Sequence, residues 1–115
     1  MSRDTVNALC AALPGAENSD PWGGGHDCWK VGGKMFTIMG AVTPGVSVKT
    51  DSLETAEMLI EAGVGTRPKY LHRSWILLPV DAPADELRDR ITQSYRLIRA
   101  GLSKKAQAGL GPAPE

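Results

Sequence analysis

Cysteine, histidine and aromatic side chains are all scarce in this chain, and neither sign of charge is in excess. The two cysteines, Cys10 and Cys28, are too few for a disulfide framework, and with no export signal they are expected as reduced thiols. His26-Asp27-Cys28 sets candidate metal ligands side by side, but no second pair follows at ligand spacing. Neither a metal nor a cofactor is therefore expected. Thirteen Lys and Arg stand against thirteen Asp and Glu, which removes the global attraction to polyanions on which many nucleic-acid binders rely. Any such binding has to be local. No apolar run approaches the ~20 residues of a membrane-spanning helix. The first residues, Met-Ser-Arg-Asp-Thr-Val, lack the basic, apolar and small-residue segments of a secretory signal. The expected location is cytoplasmic.

At 115 residues the chain supports a single domain that buries roughly two-thirds of its unfolded surface. Residues 1–110 are expected to form it, with 111–115 as a frayed tail. The most informative stretch runs from Asp27 to Lys49. Gly32-Gly33, between Val31 and Lys34, suits a two-residue type I′ hairpin turn in which both central residues take positive φ. A strict period of two then puts Phe36 and Ile38 on one face. Thr43-Pro44-Gly45 reads as a turn and Val46 to Lys49 as a further strand.

Upstream, Val6, Leu9, Cys10 and Leu13 fall at i, i+3, i+4 and i+7, one face of a helix that Ser2 or Asp4 caps and Pro14-Gly15 ends. Gly15 to Gly25 has loop chemistry, with Trp22 expected to anchor the loop to the core. The Gly23-Gly24-Gly25 run resembles a phosphate cradle. However, no Gly-Lys-Ser/Thr follows, and the chain runs into a strand rather than a helix. A tight turn leading into the sheet is the expectation.

Downstream, Asp51 with Glu54 three residues on forms a capping-box-like pair, heading a helix whose apolar stripe is Leu53, Ala56 and Ile60, with Leu59 beside it. Trp75 to Val80 reads as a short buried strand. Leu87, Ile91, Tyr95, Ile98 and Leu102 give the stripe of a long last helix, acidic at Asp85-Glu86 and basic at Arg96 and Arg99 as the helix dipole favours. Lys104-Lys105 extends or follows it. The order α-β-β-β-α-β-α, with strands segregated from helices, predicts a two-layer α+β domain in which an antiparallel sheet packs against helices. Between the second helix and the last strand, Arg67, Lys69 and Arg73 carry three cations with no acidic residue among them. Pro68 keeps that segment out of a central strand.

Taken together and in order, Leu13-Pro-Gly-Ala-Glu, Trp29-Lys-Val-Gly-Gly-Lys-Met-Phe, Val48-Lys49, the Tyr70 to Trp75 segment, Ser94-Tyr95 and Leu102-Ser-Lys-Lys resemble the MmcQ/YjbR family. These are small bacterial proteins of CyaY-like or double-wing fold, described as DNA-binding. The likeness spans nearly the whole chain and implies an antiparallel sheet backed by helices. It also implies that Lys30, Lys34 and Lys49 are basic groups on the sheet and that Arg67, Lys69, Tyr70, His72 and Arg73 form an exposed binding loop. Where many relatives carry a Pro-Gly-Tyr-His-Leu-Asn type of run, this chain has Pro68-Lys-Tyr-Leu-His-Arg.

The function expected from this resemblance is a nucleic-acid-binding module that contacts DNA through its phosphates, as a monomer or homodimer. The alternative is a protein- or small-ligand-binding adaptor that uses the sheet face or an edge near Trp29 and Phe36. Each basic residue also has a plainer role, since lysines on a solvated sheet face or edge resist aggregation. Tyr70 could stack on bases, whereas Trp75 and Tyr95 are assigned to packing. An enzyme is the reading the residues favour least. Its nucleophile and base would be Cys28 with His26, or Ser74 with His72, and neither pair has a third, orienting group.

Overall fold

The computed structural model describes residues 1–42 and 44–114; Thr43, and with it part of the expected Thr43-Pro44-Gly45 turn, lies outside them. The Ser2 hydroxyl accepts the Thr5 N–H at 3.2 Å, satisfying one orphan donor at the start of α1 (Arg3–Ala11). This helix turns Val6 and Cys10 into the core. The remaining elements are β1 (Glu17–Ser19), β2 (Asp27–Val31), β3 (Lys34–Met39), β4 (Val46–Lys49), α2 (Leu53–Glu61), β5 (Trp75–Leu78), α3 (Ala84–Ala100) and α4 (Lys104–Ala108).

Among the described residues, five strands form one antiparallel sheet in the order β1-β2-β3-β4-β5. The α+β class read from the sequence is the class observed. Two elements go beyond the expected order. β1 lies within the stretch read as loop, because its three residues are polar and exposed and show no alternation. α4 follows the long helix as a separate turn capped by Ser103. The cap of α2 is Ser52, whose hydroxyl accepts the Thr55 N–H at 3.0 Å, rather than Asp51, and Leu53 faces outward. Buried Ala56 and Leu59 carry that helix's packing.

Gly32 and Gly33 have φ of 57° and 79°, the paired positive values of the expected tight turn. The strict alternation beyond it does not hold. Trp29 pairs with Thr37 while Lys30 pairs with Met35, so Phe36 is an extra residue in a β-bulge. Phe36, Thr37 and Met39 are buried, and Ile38 is on the partly exposed side. The separation of Phe36 from Ile38 corrects the period-two expectation, and its cause is the inserted residue.

α3 closes the inner face. The Tyr95 ring meets Phe36 edge-on, with centroids 5.3 Å apart at 88°, and its hydroxyl donates to Pro14 O at 2.5 Å. β3 and β4 pair at Thr37–Val48 and Ile38–Ser47; the next pair in that register would join Phe36 to Lys49. Ser94 of α3 takes its place. The Lys49 N–H donates to Ser94 Oγ at 2.9 Å, and Ser94 Oγ donates to Phe36 O at 2.6 Å. The chain end returns to the same body: Leu102 and Leu110 pack on the core, and the buried Arg99 guanidinium is held by Tyr95 Oη and the Gly111 carbonyl.

Cys10 lies in this core as an unpaired thiol, and burial pushes its pKa from 9.0 up to about 12. The folded chain keeps the thiol neutral, whereas an unfolded chain ionises it near pH 9. Its contribution to stability is therefore complete below about pH 9 and is lost as pH rises towards 12, up to on the order of 4 kcal/mol. Chemical denaturation of Cys10→Ala at pH 8 and pH 10.5 should show a smaller alkaline loss than the wild type. An equal loss in both proteins would remove Cys10 from the pH dependence.

Candidate functional site

The loop between β1 and β2 is built around one carboxylate. Asp20 accepts the backbone N–H groups of Gly24, Gly25 and His26 at 3.3, 2.9 and 3.1 Å. The anion cradle suggested by Gly23-Gly24-Gly25 is thus filled by the chain's own side chain, with Gly23 and Gly25 at φ 66° and 91° providing the curvature. The Gly25 N–H is foremost among the bonds that hold the Asp20 carboxyl below its ordinary range.

With the loop braced in this way, Trp22 does not have to enter the core. It is 64% exposed, which corrects its expected role as the loop's hydrophobic anchor. The His26 ring lies against it, centroids 5.0 Å apart and tilted by 56°.

Arg3 ties this loop to the next. Its guanidinium donates to Asp27 Oδ2 at 2.6 Å, to Gly25 O at 2.5 Å and to Gly40 O at 2.9 Å, so α1 fixes both the 20–26 loop and the start of the β3–β4 connection. Opposite these, the segment after α2 bonds to the sheet through Thr66 and Leu77 and then leaves it at Pro68. Its next residue but one, Tyr70, has φ 65° and is fully exposed.

These three loops enclose a groove of about 570 Å³ over the outer side of the sheet, a size typical of ligand clefts. Its floor includes Ile38, Ser47 and Leu77 from three successive strands. Its lining also takes in Trp22 and Val42 from the first two loops and Arg67, Lys69 and Tyr70 from the third. The exposed large apolar residues Trp22, Val42 and Tyr70 therefore gather at one place.

Of the eight residues expected to form the site, the groove brings together Arg67, Lys69 and Tyr70. Lys34 stands at the hairpin turn, and Lys30 lies along β2 opposite Glu17 of β1. Lys49 turns towards Ser74, donating from Nζ to Oγ at 2.9 Å. His72 Nδ1 is 2.8 Å from the same hydroxyl and accepts the Ser74 N–H at 3.1 Å. His72 and Arg73 are exposed. Ser74 itself is buried between its partners, a poor position for a nucleophile. Cys28 is also buried, and burial raises its pKa, the reverse of an activated thiol. Among the described residues, no three His, Cys, Asp or Glu side chains are grouped to hold a metal ion, and no helix is long and apolar enough to cross a membrane.

The family model YjbR matches residues 11–97. The chain belongs to the YjbR family. "Uncharacterized protein YbdF" of Escherichia coli O157:H7 is 29% identical over 116 residues, covering 95% of this chain and 93% of that protein. The crystal structure of Deinococcus radiodurans protein DR2400, with a DUF419 domain, superposes with a TM-score of 0.84 at 24% identity, covering 97% of this chain and 90% of that one. At that identity the likeness shows a shared fold. The YjbR match takes in all three loops of the groove and Ser94. It stops short of α4 and of Leu110, the latter packing on the core from outside the matched region.

Sequence reasoning placed the basic segment of this YjbR protein but missed Trp22 and Val42 as site residues. The signal for Trp22 was present in Asp20-Pro-Trp-Gly-Gly-Gly. An Asp four to six residues ahead of several free N–H groups can brace a loop without burying its aromatic residue.

Proposed function

We propose that this protein is a nucleic-acid-binding module whose contact surface is the groove between its three loops. The observation that carries this reading is the convergence of two exposed aromatic residues, Trp22 and Tyr70, with two cations, Arg67 and Lys69, around one cleft. Aromatic faces and phosphate-neutralising cations are the pair of features such surfaces combine. The zero net charge of the chain is compatible with a contact confined to this patch, with exposed Arg73 nearby in sequence. The apolar floor of Ile38 and Leu77 favours the second reading, an adaptor that takes a protein segment or a small ligand.

A salt titration separates the two. Each phosphate contact releases counterions, so log affinity for a duplex should fall with log salt by about 0.9 per contact. Replacing Arg67, Lys69 and Arg73 together with Ala should weaken binding to unrelated sequences alike and make the slope shallower by up to about three. Absence of binding to any nucleic acid at ~50 mM salt, where phosphate contacts are strong, would leave the adaptor reading in its place.

A further inference from the structure

We infer that the occupant of the groove is an unpaired strand, whose bases lie on Trp22 and Tyr70 while Arg67 and Lys69 neutralise its backbone; this rests on the nucleic-acid reading above. A duplex hides the faces of its bases in its own stack, so an aromatic ring gains little from it. An unpaired strand offers those faces to any ring held in place. Here the Trp22 ring stands open to solvent on a braced loop, and the Tyr70 backbone is constrained with its ring fully exposed.

Trp22 sits on a loop whose backbone is fixed by Asp20 and by Arg3, and His26 backs its ring. Tyr70 is kept in a left-handed conformation, φ 65°, that a bulky residue adopts only under constraint. Full exposure gives its ring no packing partner to explain it. The constraint presents the ring at the cleft. Charge points the same way, because among the described residues those lining the groove include two cations, Arg67 and Lys69, and no carboxylate. A polyanion therefore meets attracting charge and no like charge among these lining residues.

The molecule carries its own reporter. Of its three tryptophans, Trp29 and Trp75 are buried and Trp22 is exposed, so a base stacking on Trp22 should quench the exposed part of the intrinsic fluorescence. Titrating the full chain with a twelve-residue thymidine oligonucleotide, (dT)12, at ~50 mM salt should produce that quenching. A duplex of the same length should bind more weakly in labelled-oligonucleotide anisotropy. Trp22→Ala and Tyr70→Gly should each weaken (dT)12 binding by about five- to 150-fold, the range alanine substitution of a stacking residue gives. Tyr70→Gly should also leave the thermal midpoint unchanged or raised, since glycine takes a positive φ freely, so its loss of binding is not a loss of fold. Nucleic-acid binding that favours the duplex, or that is indifferent to both substitutions, overturns the single-strand assignment and leaves the broader reading standing. Binding to neither probe overturns both.

Discussion

Ser94→Ala is expected to destabilise this protein by about 2–5 kcal/mol, through the loss of one oxygen atom. Ser94 is fully buried and stands between two backbone groups where the β3–β4 ladder ends, accepting from the Lys49 N–H and donating to the Phe36 carbonyl. Alanine leaves both groups desolvated and unpaired, at about 1–3 kcal/mol each. For a domain of this size that corresponds to a fall in thermal midpoint of roughly 10–20 °C. Differential scanning calorimetry on the two proteins measures it. A loss below about 1 kcal/mol would show that the strands close on each other once the hydroxyl is gone, and that the serine bridge is not what completes the ladder.

Gly45→Ala should be similarly damaging, at about 3 kcal/mol or more. Gly45 leads into β4 with φ 124°, and a Cβ there would stand 2.9 Å from the Leu78 carbonyl oxygen and 2.7 Å from Leu77 Cδ1. The backbone of β5 cannot retreat without breaking its pairing with Val46. Gly33→Ala provides the comparison. Gly33 also has positive φ, but a Cβ would meet nothing within 4 Å, so only the conformational penalty of about 1–2 kcal/mol applies. Urea unfolding of the two variants should separate them by at least about 1 kcal/mol. Equal losses would mean that close approach to β5 contributes nothing and that φ alone determines the role of Gly45.

The elements that follow from periodicity were legible in the chain: the stripe of α3, the face of α1, and the hairpin turn with its two glycines. Features produced by single polar atoms were not. Nothing in a serine seven residues after Leu87 and three after Ile91 announces that its hydroxyl bridges two strands, because the partners lie 58 and 45 residues away. The bulge at Phe36 was hidden for a related reason, since an alternating pattern with one residue inserted still reads as apolar and β-prone. Trp22 was misplaced because a large aromatic among glycines usually holds its loop by burial; here three N–H groups on Asp20 hold it instead. Within the candidate site, the cations of the 67–73 segment were visible as a local excess of charge. Their meeting with Trp22 was not, because the two segments are distant in sequence and line one cleft only once the sheet between them has formed.

The strands of this sheet lie side by side in the order in which the chain makes them. Each can pair with its predecessor across a short connection or, between β4 and β5, across a single helix, so zipping the meander closes small loops and gives up little chain entropy at each step. α3 is the exception: Ser94 reaches back 58 residues to Phe36, and Tyr95 reaches 81 residues to Pro14. The sheet can therefore form from local pairings, whereas sealing it depends on a helix made after all five strands. Until that helix arrives, the part of the apolar inner face that α3 covers and the free ends of the β3–β4 ladder are open to water and to other chains. On the ribosome, this interval lasts until α3 itself has been made, after all five strands.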